Sequence, residues 1–302
     1  MSTSDQPLEG TIGQVRAPAG FSPTGRVLHR AIRIARMVVI YAVLVAVAAV
    51  MIMPFWAMVS VSLQSGIRAA RFPIDWIPNS PTLDNYRTIL DNSRIGRWFV
   101  NSVIVSVVGT ALALFTASTA GYVFARMEFP LKNIVFWSLL AMLMIPQQVT
   151  LIPEYLLLVQ LNWVNTYMAL ILPGVTSAFG TFLIRQYLQA IPRDFEDAAR
   201  LDGASEFQVY WQIVLPMLTP ALATLGTIQF LNLWNEFLYP LVVTTGAAMR
   251  TLPVGLATLE TPTGGLPELL AGTTIALLPT IIVFLFFQRY FVRGVVTSGI
   301  KG

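Results

Sequence analysis

Cysteine is absent from the 302 residues of the sequence, so disulfides, thiolate zinc sites and cysteine nucleophiles are excluded. Histidine occurs once, at His29, in a basic segment before the first apolar run, where a solvated side chain is a simpler interpretation than a metal ligand. A single histidine also excludes the paired histidines of an HExxH metalloprotease. The composition therefore predicts no metal site and no thiol catalysis.

Lysine is almost as scarce, with Lys132 and Lys301 as the two examples. A P-loop needs a lysine directly after a glycine-rich G-x-x-x-x-G stretch to hold nucleotide phosphates, and neither lysine follows one. The chain itself therefore cannot be a P-loop ATPase, and we expect no cofactor in it.

Charged residues of both signs are rare: they make up 11% of the chain, while apolar residues make up 55% and the mean hydropathy is +0.67. A soluble domain carries roughly a quarter charged residues, so these values indicate a membrane protein. The net charge of +4 does not indicate nucleic-acid binding, because the basic residues stand at the ends of apolar runs, where they orient a chain in a bilayer.

Six apolar runs separate the charges, and each is close to the 20 or so residues that a helix needs to cross the hydrocarbon. The predicted fold is an all-α membrane protein with six transmembrane helices. The predicted spans are about 37–63, 98–124, 133–152, 167–184, 217–243 and 269–291. Residues 1–25 are polar and predict a disordered tail before a transmembrane domain at 26–302. The first run is too long for a cleaved signal peptide, and no internal repeat is evident.

The distribution of basic residues predicts an orientation. Six spans place both termini on the same side of the membrane, and with the N-terminus inside, 13 of the 19 basic residues fall in the inner segments and 6 in the outer ones. The positive-inside rule therefore predicts that both termini are cytoplasmic.

The segment at 191–216, between the fourth and fifth spans, holds five of the fifteen acidic residues. Asp194 is placed to cap a first short helix, and Gly203 suits the left-handed position that ends it. Ser205 and Gln208 have the spacing of a capping box for a second helix. Because so many charges must lie in water, we predict a cytoplasmic helix-turn-helix.

Two interpretations of this segment are open on physical grounds. It is either an amphipathic connector that keeps two spans apart, or a helical knob that enters a groove on a partner. The small and apolar residues between the charges suit a knob.

The sequence Asp197-Ala-Ala-Arg-Leu-Asp-Gly203, followed by Ile213-Val-Leu-Pro216, resembles the EAA loop of the membrane subunits of ABC importers. That pattern is E-A-A-x-x-x-G, nine residues, and I-x-L-P. It departs here at the first position, where an aspartate replaces the glutamate. In that family the loop forms coupling helices that dock on the ATPase subunit. The resemblance implies partner contacts from Asp197, Ala199, Asp202 and Gly203, with Glu196 as the substitute acid.

Other stretches are similar to the carbohydrate-uptake branch of these importers, especially its maltose-type second permease. They are Thr82-Leu-Asp-Asn-Tyr86, Asn101-Ser102, Tyr122-Val-Phe-Ala-Arg126, Trp234-Asn-Glu-Phe237, Thr251-Leu-Pro-Val-Gly-Leu256 and Gly299-Ile-Lys-Gly302. The resemblance implies a permease for a sugar or related polyol, delivered by an extracytoplasmic binding protein, in a bacterial or archaeal cytoplasmic membrane. It also implies a separate ATPase pair that binds ATP and Mg²⁺ and a second, different permease, so this chain would not be an enzyme.

Glu236 is the acidic residue deepest inside a predicted span, and Gln229 and Asn232 precede it at helical spacing on the same face. Ionisable groups within a membrane usually face an aqueous path or a bundle interior, so these three residues are candidates for a solute path. An interhelical hydrogen-bond cluster explains them equally well. Asn101 and Ser102 are open to the same two interpretations, and for them helix capping or packing is favoured over a solute path.

Two other function classes are alternatives to the importer. An ion- or proton-coupled secondary transporter would use Glu236, but it would need further ion-coordinating groups and is not supported by a repeat. An intramembrane enzyme is disfavoured by the missing cysteine, HExxH pair and intramembrane histidine.

Overall fold

The computed structural model describes residues 23–64, 75–92, 94–259 and 265–299. Every regular element in these ranges is helical, as the sequence predicts. Residues 1–22, which form most of the predicted tail, lie outside the described part of the chain.

The first helix, α1 (Pro23–Ser62), forms most of a separate unit that ends at Trp56. Its described side chains from 32 to 56 are exposed, and an 18-residue stretch within Ile32–Ser62 has a mean hydropathy of 2.7. A helix that is apolar on all sides is stable in apolar surroundings, so the lipid bilayer suits this surface better than water does.

The second unit begins at Ala57 and contains the remaining helices. In chain order these are α2 (Asp84–Asn92), α3 (Ile95–Arg126), α4 (Lys132–Ala141), α5 (Gln147–Gln160), α6 (Tyr167–Ile171), α7 (Ala178–Gln189), α8 (Asp194–Leu201), α9 (Glu206–Gln208), α10 (Leu215–Met217), α11 (Thr219–Asn235), α12 (Leu238–Val243), α13 (Leu252–Ala257) and α14 (Leu266–Gly299). Two 3₁₀ turns, Met142–Met144 and Leu172–Val175, and a π-helical turn, Val209–Val214, link some of them.

By length and composition, four helical segments in the described ranges can cross a membrane, and up to six if each of two bent pairs counts as one span. The four are Ile32–Ser62, Ile95–Arg126, Tyr167–Gln189 and Leu266–Gln288. They correspond to the first, second, fourth and sixth predicted spans.

The third and fifth predicted spans are wrong as single helices. In place of 133–152, the chain forms Lys132–Met144 and Gln147–Gln160, which are bent by 103° around Pro146. Proline lacks a backbone N–H and holds the preceding residue in an extended conformation, so the helix stops there. In place of 217–243, the chain forms α11, which ends at Asn235. Helix α11 is bent by 73° from the segment before it, Glu206–Met217.

The central helix of the second unit is α3, and α7 and α11 pack along it. A Cβ atom on Gly121 of α3 would lie 2.6 Å from Cγ2 of Ile184 on α7, so the two backbones approach as closely as small residues allow. Three buried apolar clusters hold the unit together, and α3 contributes to each of them. Helix α3 therefore takes part in the packing of the whole second unit.

Replacing Gly121 by alanine should destabilise the protein, although alanine favours helices. The new methyl group overlaps Ile184, and overpacking costs about 1–3 kcal/mol, more than the helix-propensity gain of up to about 1 kcal/mol. The melting temperature of the purified chain in detergent measures the effect. Gly96→Ala is the matched control, because a Cβ at Gly96 meets no atom within 4 Å. A Gly121→Ala variant as stable as Gly96→Ala would contradict the close packing.

Candidate functional site

The charged segment, residues 191–216, folds into the two short helices that the sequence predicts. After α8, Gly203 has a φ of +87°, a left-handed conformation that favours glycine. The N–H of Gly203 donates to the carbonyl of Arg200, and the N–H of Ala204 donates to the carbonyl of Ala199. These two bonds form a Schellman motif, so the sharp turn is specified locally.

Ser205 starts the second helix with the predicted capping box. Its hydroxyl accepts the N–H of Gln208, whose side chain accepts the N–H of Ser205. The predicted cap of α8 by Asp194 is wrong: Arg193 is the cap residue and Asp194 is the first helical residue. Asp194 instead joins two other carboxylates in the first turn, where the helix dipole favours negative charge.

A buried ion pair holds α8 against the end of α3. Nε of Arg126 donates to Oε1 of Glu196 at 2.6 Å, and another nitrogen of Arg126 donates to the carbonyl of Ile191 at 3.0 Å. Glu196, predicted as a substitute partner contact, therefore points into the chain. A buried arginine requires a carboxylate partner, and this pairing withdraws Glu196 from the surface.

Arg200 forms a second, more exposed network. It donates to Asp197 at 2.9 Å and to Glu206 at 2.8 Å, while Tyr122 of α3 donates to the other oxygen of Glu206 at 2.9 Å. The hydrogen bonds to Glu206 and then to Asp197 raise the pKa of Arg200 above its already high ordinary value. The network therefore stays charged and ties both short helices to α3.

Under these charges the segment is apolar. Ala199 and Ala204 pack against a buried core that includes Tyr122, Leu188 and Val209. Ala199, one of the predicted contact residues, is thus partly covered by its own chain.

The opposite face of the segment combines exposed apolar and acidic side chains. Leu201 is 89% exposed and Phe195 is 58% exposed. Asp197, Asp202 and Gly203, three of the predicted contact residues, are exposed beside them. Exposed large apolar side chains on an otherwise charged helix are candidates for a contact with a partner.

A cavity of about 410 Å³ lies in the second unit, and Gln229, Asn232 and Glu236 all line it. The structure thus brings the three candidate solute-path residues together. Its further polar lining residues, which sequence reasoning missed, are Gln147, Thr150, Glu154, Thr176 and Ser177. The missed signal was Glu154, an acid just beyond the predicted end of the third span in a sequence that remains apolar to about residue 161.

Three helix breaks border this cavity. The bend between α4 and α5 contributes Gln147, the 3₁₀ turn before α7 contributes Gly174, and the break between α11 and α12 contributes Glu236. Irregular backbone is tolerated at membrane depth where it lines a cavity, and broken helices often form the binding sites of transporters.

Glu236 does not share a helical face with Gln229 and Asn232, as predicted, because α11 ends one residue earlier. Glu236 has an extended backbone, with φ −64° and ψ 127°, and its Oε1 accepts the N–H of Tyr239 in the first turn of α12. A carboxylate in this place stabilises the helix N-terminus. Glu236 therefore both caps α12 and lines the cavity.

Asn101 and Ser102 lie buried near the start of α3. Asn101 donates to the carbonyls of Ala248 and Arg250 and accepts the hydroxyl of Tyr167, while Ser102 accepts a backbone N–H at the start of α13. These bonds pin the connection before α13 to α3 and favour the packing interpretation.

Several apolar spans and broken helices around a polar cavity define a membrane transport protein. Residues 109–297 match the sequence family described as the inner membrane component of binding-protein-dependent transport systems. The chain belongs to this family, which confirms the resemblance to the membrane subunits of ABC importers and makes it a multi-pass inner-membrane component.

Individual relatives agree with the family. The chain is 42% identical over 227 residues to the arabinooligosaccharides transport system permease protein AraQ of Halalkalibacterium halodurans, covering 74% of this chain and 81% of the relative. It is 39% identical over 231 residues to AraQ of Bacillus subtilis, covering 76% and 82%. One chain in the crystal structure of a bacterial ABC transporter involved in the import of the acidic polysaccharide alginate has the same fold, with a TM-score of 0.74 over 90% of this chain and 99% of that one, at 22% identity. These relationships favour the importer over the secondary transporter and the intramembrane enzyme.

Proposed function

We propose that this chain is the membrane-spanning permease subunit of an ATP-driven importer for a sugar or related polyol, which an extracytoplasmic binding protein delivers. The observation that carries this proposal is the polar cavity bordered by three helix breaks. Such breaks let backbone and side chains rearrange around a solute without exposing unpaired polar groups to lipid.

The charged segment docks on a separate ATPase pair, which binds ATP and Mg²⁺. This sequence has no P-loop, so the hydrolysis belongs to a partner. Leu201 and Phe195 suit an apolar groove, and Asp197 and Asp202 suit basic groups at its rim. A second permease of different sequence supplies the other wall of the path.

In the proposed transporter the charged segment and both termini lie in the cytoplasm. The excess of basic residues in the corresponding segments supports the same orientation in a bacterial or archaeal cytoplasmic membrane.

Gentle detergent purification of the tagged chain tests the class of transporter. We expect an ATPase, a second permease and, with solute present, a binding protein to accompany it in amounts that mass analysis detects. A lone chain or a homodimer whose transport follows an ion gradient would contradict the importer.

Gly203→Phe should abolish ATP-dependent uptake while the chain still inserts in the membrane. A Cβ at Gly203 meets no atom within 4 Å, so the bulky ring obstructs the docking face rather than the chain's own core. The left-handed conformation itself costs a non-glycine residue about 1–2 kcal/mol. Gly203→Asn is the matched control, because asparagine tolerates this conformation and is much smaller. Equal uptake and ATP hydrolysis by Gly203→Phe and the wild type would count against docking here.

The residues that line the cavity favour a sugar without negative charge as the solute. Its lining residues include the carboxylates of Glu154 and Glu236 and the amides of Gln229 and Asn232, and none of them is lysine or arginine. Amides and carboxylates bond hydroxyl groups well, whereas carboxylates repel an anion strongly where water is scarce. The two AraQ relatives, named for arabinooligosaccharide transport, support the same class of solute.

Glu154→Ala should lower the uptake of an arabinooligosaccharide at sub-saturating concentration by about tenfold or more, because a hydrogen bond to a charged group is worth about 1.5–3 kcal/mol. Glu154 lines the cavity and accepts no hydrogen bond from another described residue, so its carboxylate is available to solute hydroxyls. Glu128→Ala is the matched control, since the side chain of Glu128 is 82% exposed outside the cavity. Equal uptake by the two variants would refute a role for Glu154 in the path.

A further inference from the structure

Among the ion pairs of the described residues, the pair between Arg126 and Glu196 is the most deeply buried. The exposed fractions of the two side chains are 4% and 3%. In each other pair, at least one side chain is 33% exposed or more. The pair joins the last residue of α3 to the first turn of α8, so it connects a long helix of the second unit to the charged segment.

The geometry of this pair makes it resistant to movement. Burial of two charges is offset only where distances are short and hydrogen bonds are made. Oε1 of Glu196 meets this condition, whereas its buried Oε2 makes no hydrogen bond and lies 3.7 Å from a nitrogen of Arg200. Arg126 bonds Glu196 at 2.6 Å and the carbonyl of Ile191 at 3.0 Å, so it holds α8 both within the helix and just before it. Any displacement of α8 relative to Arg126 would leave a buried charge unpaired, which is strongly unfavourable.

The other contacts of α8 are weaker. With eight residues it is too short to be stable alone. Its apolar contact with the core is the small side chain of Ala199, and the pairs of Arg200 with Asp197 and Glu206 are partly solvated and therefore weak. The bond to Arg126 is thus the shortest and most deeply buried polar connection between α8 and α3, and a longer bond of 3.4 Å joins Arg193, the cap residue of α8, to the carbonyl of Ala125.

Helix α3 extends from this pair to the polar cavity. It has 32 residues and is therefore roughly 48 Å long at 1.5 Å per residue. Arg126 is its last residue, Val105 lines the cavity, and Asn101 pins the chain before α13. A displacement of α8 that reaches Arg126 therefore moves one wall of the cavity.

We propose that Arg126 is a positioning residue that, through Glu196, makes α8 and α3 move as one rigid body. Movement of the docked segment is thereby transmitted to the cavity. This inference rests on the proposed function of the segment and adds the residue through which coupling reaches the solute path.

A distance measurement in the assembled transporter tests the rigid body directly. The sequence has no cysteine, so Asp194→Cys on α8 and Phe115→Cys on α3, both exposed, provide a unique pair of spin-label sites. We expect the distance between the labels to remain the same in the nucleotide-free and ATP-bound states. A change of several ångströms would overturn the proposal.

Exchange of the two charges tests the role of Arg126 in coupling. We expect the fraction of R126E and of E196R that assembles to transport at least tenfold less solute per ATP hydrolysed than the wild type. The double variant R126E/E196R should recover most of the wild-type ratio, because the pair re-forms with reversed polarity. A merely structural role would lower the amount of assembled transporter and leave this ratio unchanged.

Arg185→Gln is the matched control and should keep the wild-type ratio. Arg185 lies on α7, where it bonds the carbonyl of Phe124 and covers the ring of Phe136 without joining the charged segment. Single variants with wild-type coupling would overturn the inference and leave the proposed function intact. Wild-type transporter without ATP-dependent uptake would instead refute the proposed function. If R126E does not assemble, the labelled pair in the otherwise unaltered chain decides the question.

Discussion

A bilayer offers no hydrogen-bond partners to the polypeptide backbone, and the architecture of this protein follows from that constraint. The described chain is helical throughout its regular elements, and its longest apolar helices, α1, α3 and α14, keep their backbone bonds internal. Where helices break, at the bends after α4, α6 and α11, each break contributes residues to the lining of one polar cavity. The departures from regular helix are thus grouped around the cavity that we propose as the solute path.

Helical geometry alone divides the residues of the charged segment between the core of its own chain and the exposed face that we propose as the docking surface. Glu196 and Asp197 are adjacent in sequence, but successive side chains on a helix point in directions about 100° apart. Glu196 therefore enters the core and meets Arg126, while Asp197 remains at the surface. The same helical rotation partly buries Ala199 and exposes Leu201. A helix of two turns can in this way be held firmly on one face and present a contact surface on the other.

Packing and function share residues in this chain. Glu236 stabilises the start of α12 and also faces the cavity, and α3 contributes to every buried cluster while it connects the charged segment to the cavity wall. Close packing of α3 on α7 through Gly121 makes this connection stiff, because backbones in direct contact leave little room for relative sliding. Stiffness between the charged segment and the cavity is what the proposed coupling requires.

Local sequence alone determined the features that depend on neighbouring residues. Apolar runs indicated the membrane class and four of the spans, and Gly203, Ser205 and Gln208 specified the turn and the cap of the charged segment because turn and cap chemistry acts over a few residues. The tertiary structure decided the rest. Pro146 and the carboxylate of Glu236 act locally at their breaks, but the place of Glu154 in the cavity and the bond of Glu196 to Arg126 depend on groups far apart in the chain. No local periodicity encodes which buried charge meets which partner.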